Sequence, residues 1–145
     1  MDAITIQILR NKIASLVDEM HYHFYRSGYS TIIRESRDFS CVIVDREGRL
    51  IVAPPMFFHA PVYRHLVGRI LETYGKARAI NEGDVFVSNH PYEGGLPHVS
   101  DMAFVAPVFA DGKIVAFSGT IAHKADVGGA APGSTSANAT EMFHE

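Results

Sequence analysis

The sequence has little of what would mark a disulfide-rich, membrane or nucleic-acid-binding protein. Its only cysteine, Cys41, excludes an internal disulfide and a cysteine-rich zinc site. No apolar run approaches the roughly 18 residues of a membrane span, and the N-terminus lacks the basic start of a signal peptide. A net charge of −3 without a basic block gives no sign of nucleic acid or an anionic membrane as partner. A cytoplasmic location is the default expectation.

Two segments have the apolar spacing of helices. Between Asp2 and Gly28, apolar residues recur at steps of three and four, which predicts a long amphipathic helix with Asp2 as its N-cap. The same spacing from Val62 to Tyr74 predicts a second helix that ends at Gly75. The apolar stripe of the first helix consists of Ile6, Leu9, Ile13, Leu16, Met20 and Phe24.

The strand patterns predict hairpins. Residues 40–53 read as two apolar strands around a turn that contains Gly48, and Val85–Val87 reads as a short strand. The apolar runs Met102–Phe109 and Ile114–Ala122 flank an Asp-Gly pair, which is a strong hairpin signal. We therefore expect residues 1–145 to form a single α+β domain, with both helices packed on a mixed or antiparallel sheet built from hairpins.

One short pattern occurs twice. The segments His98–Asp101 and His123–Asp126 both read His-x-x-Asp, and they begin 25 residues apart, at the two ends of the predicted hairpin. Closing the hairpin brings these ends together, so two imidazoles and one or two carboxylates fall near one point. This predicts a metal site. The alternative is that they are ordinary polar residues at strand ends, hydrogen-bonded to backbone.

The turn also predicts a register. With Asp111 and Gly112 as the two turn residues, Asp101 lies opposite Ala122 and His123 lies opposite Ser100. Directly opposed residues have Cβ atoms roughly 4.5–5.5 Å apart. Residues three apart in a straight strand point to opposite faces, so each His-x-x-Asp must lie where its strand bends into a loop.

Glycine pairs supply those bends. Gly94 and Gly95 precede the first His-x-x-Asp, and Gly128 and Gly129 follow the second. Glycine permits close backbone approach, so these loops could present N–H groups to a substrate oxyanion, or they could simply be turn residues. The glycine-rich segment 128–138 has no periodicity and is expected to be either disordered or functional.

Several motifs in a fixed order resemble one family. They are Arg37-Asp-Phe-Ser-Cys41, Asp45-x-x-Gly48, Gly83-Asp84-Val, Asn89-His-Pro-Tyr92, Gly94-Gly95, His98-x-x-Asp101, His123-x-x-Asp-Val-Gly-Gly129 and Pro132-Gly-Ser134. The sequence resembles the N-terminal part of the hydantoinase B family. That family includes the B subunit of ATP-dependent N-methylhydantoinase, the C-terminal half of 5-oxoprolinase and the α subunit of acetone carboxylase.

The resemblance implies an ATP-coupled reaction shared with an A-type, ATP-binding partner subunit. The partner phosphorylates an oxygen of a small-molecule substrate, and the B-type chain then hydrolyses a cyclic amide or, alternatively, carboxylates a ketone. The family's ligand pattern maps onto His98, Asp101 and His123, and this donor set suits Mn, Fe or Zn. Asp126 is then expected to orient a ligand or substrate. Independently of the resemblance, Tyr92 is a candidate to hydrogen-bond the substrate, with packing of a turn beside Pro91 as the alternative.

Two further expectations follow. Family chains are several hundred residues long, so this sequence is expected to be a fragment, a split subunit that acts with the remaining B-type sequence, or a truncated product. A non-catalytic assembly subunit with a structural metal is the alternative outside enzymes. His59 and His65 flank the second helix without a carboxylate nearby in the sequence, and they are not expected in the site.

Overall fold

The structure, a computed structural model, describes residues 1–52, 59–75, 80–133 and 136–145. Both predicted helices and the predicted long hairpin are present. In chain order the elements are helix α1 (Ala3–Ser27), a π-helical turn (Ile32–Ser36), strand β1 (Phe39–Val44), helix α2 (Ala60–Tyr74), strand β2 (Phe86–Ser88), the short helix α3 (Pro91–Gly94), strand β3 (Asp101–Ala110), strand β4 (Lys113–His123) and a 3₁₀ turn (Met142–His144).

The strands form one antiparallel sheet in the order β1-β4-β3-β2. One face packs on α2 through a buried apolar core, and the other packs on α1. The core on the α2 face includes Val42, Val44, Ala103, Val105, Phe117 and Ile121 from the strands. This arrangement confirms the α+β prediction, with the sheet antiparallel rather than mixed.

Helix α2 lies very close to the middle of the sheet. The Tyr63 ring is fully buried against Gly119 of β4. A Cβ atom on Gly119 would stand 2.6 Å from Cε1 of Tyr63, a distance that real Cβ atoms do not show. The missing side chain at position 119 therefore lets the aromatic ring rest directly on the strand.

Helix α1 begins as predicted, since the Asp2 side chain accepts a hydrogen bond from the Thr5 amide. Only its second half packs on the sheet, through Met20 and Phe24 among others. In the first half Ile6 is 54% exposed. The apolar stripe is thus longer than the surface that it covers here. Among the described residues, no helix combines the length and apolar character that crossing a membrane requires.

The β3–β4 hairpin has the predicted turn but a different register. Asp111 and Gly112 both have positive φ, as a type I′ turn requires. The predicted pairing holds next to the turn and then shifts at a bulge, where Val115 is the extra residue of β4. Beyond the bulge, Asp101 lies directly opposite His123. The predicted pairings of Asp101 with Ala122 and of His123 with Ser100 are therefore wrong by one residue.

The hairpin predicted for residues 40–53 forms only in part. The turn is present, with Gly48 N donating to Asp45 O at 3.0 Å, but in its described part, up to residue 52, the return segment makes a single bridge, between Val44 and Leu50. Strand β1 pairs instead with β4. Gly48 lies close against α2, where a Cβ atom would stand 2.7 Å from Cα of Arg64. Ala53 and the two prolines that follow it lie outside the described residues.

Two glycine substitutions test the packing of α2. Gly119→Ala is expected to lower the free energy of unfolding by about 1–3 kcal/mol, because the new methyl group displaces Tyr63. Gly68→Ala is the matched control. It lies on α2, where a Cβ atom would meet nothing within 4 Å, and it should raise stability by about 0.5–1 kcal/mol. Urea unfolding followed by circular dichroism measures both, and equal effects of the two changes would contradict this packing.

Cys41 provides a chemical test of the α1 face. The residue is 1% exposed, and burial raises the pKa of its thiol to about 12. Because the thiolate is the reactive form, the folded chain should not react with a thiol-specific disulfide reagent at about pH 8. One equivalent should react after unfolding in guanidinium. Rapid reaction of the folded chain would show that the α1 face opens.

Candidate functional site

The candidate site lies at the open end of the β3–β4 hairpin, on the α2 face. Asp101 is the first residue of β3, His123 is the last of β4, and the two are directly paired. His98 reaches the same place because the chain turns before β3, with Asp101 N donating to His98 O at 3.2 Å. The expectation that a bend precedes the strand is thereby met at the first His-x-x-Asp.

Asp101 is the centre of this group. Its Oδ1 lies 3.2 Å from Nδ1 of His123, and its Oδ2 lies 3.4 Å from Nε2 of His98. The two imidazole rings are 4.8 Å apart between centroids. One nitrogen from each histidine and one Asp101 oxygen all lie within 4.8 Å of one another. The structure thus brings together the three residues predicted as metal ligands.

A third imidazole, missed by the sequence analysis, also touches Asp101. Nε2 of His59 lies 3.3 Å from Asp101 Oδ2, and both side chains are almost fully buried. The expectation that His59 stands apart from the site is wrong. Its partner carboxylate is remote in sequence and becomes adjacent only when α2 packs across the sheet. His65 does lie elsewhere, with its Nε2 3.0 Å from the Glu93 carbonyl oxygen.

The surrounding imidazoles determine the charge of Asp101. Burial acts to raise the pKa of its carboxyl group, since the charged form loses water. The hydrogen bond from His59 and the charges of His98, His59 and His123 act in the opposite direction and prevail, so the pKa lies below its usual value. The carboxylate is therefore ionised at neutral pH. A buried anion that faces several nitrogen ligands is a suitable environment for a cation.

Asp38 extends the group toward solvent. Its Oδ2 lies 3.9 Å from Nδ1 of His123, and its backbone oxygen accepts a hydrogen bond from His123 N at 3.1 Å. The backbone contact fixes the end of β4 beside β1. His123 is therefore held by Asp101 of β3 on one side and by Asp38, the residue before β1, on the other.

The two residues predicted as catalytic lie apart from this cluster. Asp126 is exposed, and its Oδ1 accepts a hydrogen bond from Gly128 N at 2.9 Å. Tyr92 is 78% exposed and packs edge-on against His90, with 6.2 Å between ring centroids. Neither belongs to the set of converging ligand atoms. Their roles toward a substrate stay predictions.

Some of the backbone N–H groups in the two candidate oxyanion loops already donate hydrogen bonds within the protein. Gly94 N donates to His90 O at 2.8 Å, and Gly128 N donates to the Asp126 side chain. A Cβ on Gly95 would meet the His65 ring at 3.0 Å, so this glycine permits close packing on α2. Two of the four glycine N–H groups, those of Gly94 and Gly128, thus already have protein acceptors. In the first pair, Gly95 also serves packing against α2.

A cleft of about 280 Å³ opens beside His123. It lies between the end of α1 with the following turn and the residues just after β4. Its lining residues are Phe24, Ser27, Gly28, Tyr29, Ser30, Ile33, His123, Lys124 and Ala125. Of the clustered residues, His123 is the one that lines this cleft, whose other walls come from the α1 side of the sheet.

Comparison with known proteins identifies the family. The sequence pattern described as Hydantoinase B/oxoprolinase matches residues 2–145, and the chain belongs to that family. A Pseudomonas protein described as the B-type subunit of a candidate D-/L-hydantoinase is 35% identical over 92% of this chain. The 5-oxoprolinase 1 of Arabidopsis thaliana is also 35% identical over 92% of this chain.

These relatives are much longer than this chain. The matched region spans 23% of the Pseudomonas protein and 10% of the Arabidopsis enzyme. The nucleotide-free structure of acetone carboxylase, which carries out ATP-dependent acetone carboxylation, superposes on this chain with a TM-score of 0.76 at 17% identity. The superposition covers 91% of this chain and 17% of the carboxylase chain. That likeness establishes a shared fold.

Removing the central carboxylate should destabilise the fold even without metal. In a chelator-treated chain, Asp101→Ala is expected to lower the free energy of unfolding by about 1–3 kcal/mol, because it takes away the carboxylate that buried His59 contacts. Asp126→Ala, on an exposed loop, should change stability by less than about 0.5 kcal/mol. Denaturant unfolding measures both. Equal stability of the two variants would contradict the buried contact between Asp101 and His59.

Proposed function

We propose that this chain carries the metal centre of a B-type subunit of an ATP-dependent enzyme that hydrolyses a cyclic amide. His98, Asp101 and His123 would bind one divalent transition-metal ion. The main support is the convergence of their three ligand atoms within 4.8 Å of one another. We further propose that residues 1–145 act as one domain, since one sheet receives α1 and α2 on its two faces.

The donor set fits such an ion. Two imidazole nitrogens and one carboxylate oxygen form a mixed set that suits Mn, Fe or Zn better than Mg or Ca. Three protein ligands leave coordination positions open for other molecules. An ion held there would supply Lewis acidity, which polarises a carbonyl group or activates water. The ionised Asp101 carboxylate would offset part of its charge.

The burial of the three residues suggests from which side a substrate approaches. The Asp101 and His123 side chains are 3% and 11% exposed and form the floor of the site. The His98 side chain is 25% exposed and marks the open side. Asp126 and Tyr92 lie on exposed segments from which they could orient a substrate.

Hydrolysis is the preferred reaction because of the degree of similarity. The hydantoinase and 5-oxoprolinase relatives are each 35% identical to this chain, whereas the acetone carboxylase is 17% identical. Both reactions need an activated carbonyl or enolate oxygen beside a cation, so the cluster alone fits either one. Ketone carboxylation is therefore the second candidate, and the shared fold with acetone carboxylase favours it over unrelated chemistries.

The proposal includes an A-type partner that binds ATP. One relative is described as a B-type subunit, which implies another subunit in that protein. The sequence contains no glycine-rich phosphate loop with a following lysine, so we place nucleotide binding outside these 145 residues. The remainder of a B-type chain, as found in the longer relatives, would complete the substrate pocket.

Metal content tests the centre directly. Elemental analysis of the purified chain should find close to one equivalent of Mn, Fe or Zn. His98→Ala and His123→Ala should each remove it, because either change leaves only two ligands. His65→Ala is the control, as this exposed imidazole binds a backbone carbonyl instead, and it should retain the metal. A folded wild-type chain without metal, even after incubation with each ion, would contradict the proposal.

An activity assay with the A-type partner separates the reactions. ATP consumption coupled to ring opening of a hydantoin or of 5-oxoproline would support hydrolysis. ATP-dependent incorporation of labelled bicarbonate into acetone would instead support the carboxylase alternative. Metal binding without either reaction would favour the assembly role, in which the ion is structural.

A further inference from the structure

Beyond the three proposed ligands, a line of buried polar side chains runs from Asp101 into the protein. His59 contacts Asp101 through Nε2, and its Nδ1 lies 3.3 Å from Oγ of Ser40. The Ser40 hydroxyl in turn lies 2.8 Å from the Tyr63 hydroxyl. Relative exposures are 2% for Asp101, 1% for His59 and Ser40, and 0% for Tyr63.

We infer that Tyr63, Ser40 and His59 form a hydrogen-bond chain that positions the Asp101 carboxylate for metal binding. The inference rests on the proposed function, since it assigns these residues to the metal centre proposed above. None of the three is a proposed ligand. They would act through Asp101, by fixing how its two oxygens are oriented toward His98 and His123.

One assignment of the protons runs from Tyr63 to Asp101. The Tyr63 hydroxyl lies 2.8 Å from Ser40 Oγ and 3.2 Å from the Ser40 backbone oxygen, and in this assignment it donates to the nearer Oγ. The Ser40 hydroxyl then donates to Nδ1 of His59. With Nδ1 as acceptor, a neutral His59 carries its proton on Nε2 and donates it to Asp101. Burial raises the pKa of Tyr63, which keeps the first donor protonated.

Three separate elements hold the chain. Ser40 lies in β1, Asp101 begins β3, and His59 immediately precedes α2, which also carries Tyr63. The Tyr63 ring is fixed by its contact with Gly119 of β4. Residues that are held by packed strands and a helix keep their geometry better than residues in loops. A partner that orients a metal-binding carboxylate typically contributes 10–100-fold in metal affinity.

A purely structural role is the competing explanation. Buried polar groups need partners whether or not they serve a metal, and the chain satisfies this need. The two explanations differ in what a substitution changes. A structural chain affects only the free energy of unfolding, whereas a positioning chain also changes the metal affinity of the protein that remains folded.

His59→Leu and His59→Gln separate these roles. Leucine removes the donor to Asp101, whereas the glutamine amide N–H can occupy nearly the position of Nε2–H. Isothermal titration with Mn²⁺ should show about 10–100-fold weaker binding for His59→Leu and substantial recovery for His59→Gln. The absorption bands of bound Co²⁺ should shift in His59→Leu and return toward wild type in His59→Gln. The matched control is His23→Leu, an exposed imidazole on α1, which should leave both readouts unchanged.

Tyr63→Phe and Ser40→Ala provide a second test that keeps the core packed. Each removes one hydroxyl and should weaken Mn²⁺ binding severalfold, with less than additive effects when combined, because both act through His59. Unchanged Mn²⁺ affinity in these variants and in folded His59→Leu would overturn the inference. If His59→Leu does not fold, unchanged affinity in Tyr63→Phe and Ser40→Ala alone would overturn it.

The failure of this inference is distinguishable from failure of the proposed function. If the wild-type chain binds Mn²⁺, His98→Ala abolishes binding, and the Tyr63, Ser40 and His59 variants keep full affinity, the metal centre stands and the positioning role is wrong. If the wild-type chain binds none of Mn, Fe and Zn, both the proposed metal centre and the positioning role are wrong.

Discussion

The direct pairing of Asp101 with His123 is the constraint on which the candidate site depends. Paired residues of an antiparallel sheet share a face, whereas a slip by one residue turns every side chain to the other face. Without the bulge at Val115, the register set at the turn would place His123 on the α1 side while Asp101 stayed on the α2 side. The extra residue in β4 therefore brings the side chains of Asp101 and His123 to the same face of the sheet.

The position of helix α2 on the sheet is the second condition for the cluster around Asp101. Its close approach to the sheet, permitted by Gly119, brings Tyr63 over β4 and carries His59 to the buried side of Asp101. An isolated carboxylate at that depth would carry a large desolvation penalty, and it would take up a proton instead. Contacts with three imidazoles offset that penalty and keep the pKa of Asp101 low. Core packing and the electrostatics of the site are thus consequences of the same close contact.

The sequence predicted much of this and missed specific parts for physical reasons. Periodicity located α1 and α2, the Asp-Gly pair located the hairpin, and the repeated His-x-x-Asp located His98, Asp101 and His123. The bulge at Val115 was not predictable, since the apolar run through β4 has no break there. His59 was missed because its partner is remote along the chain and the contact depends on how α2 crosses the sheet. The exposed first half of α1 shows that an apolar stripe predicts a helix but does not identify what covers it.

The asymmetry of the cluster bears on how a metal centre would work here. Asp101 has its carboxylate between a solvent-facing imidazole, His98, and a fully buried one, His59. Within the part of the chain that the structure describes, the His98 side of Asp101 is the more open one, because the His98 side chain is 25% exposed and that of His59 only 2%. A cation bound among these residues would stabilise the folded state by mass action, since the hairpin ends and α2 meet only in that state. Ion binding and the docking of α2 on the sheet would therefore stabilise each other. A substitution at Gly119 or Tyr63, which are not proposed ligands, would then change the metal affinity through His59 and Asp101.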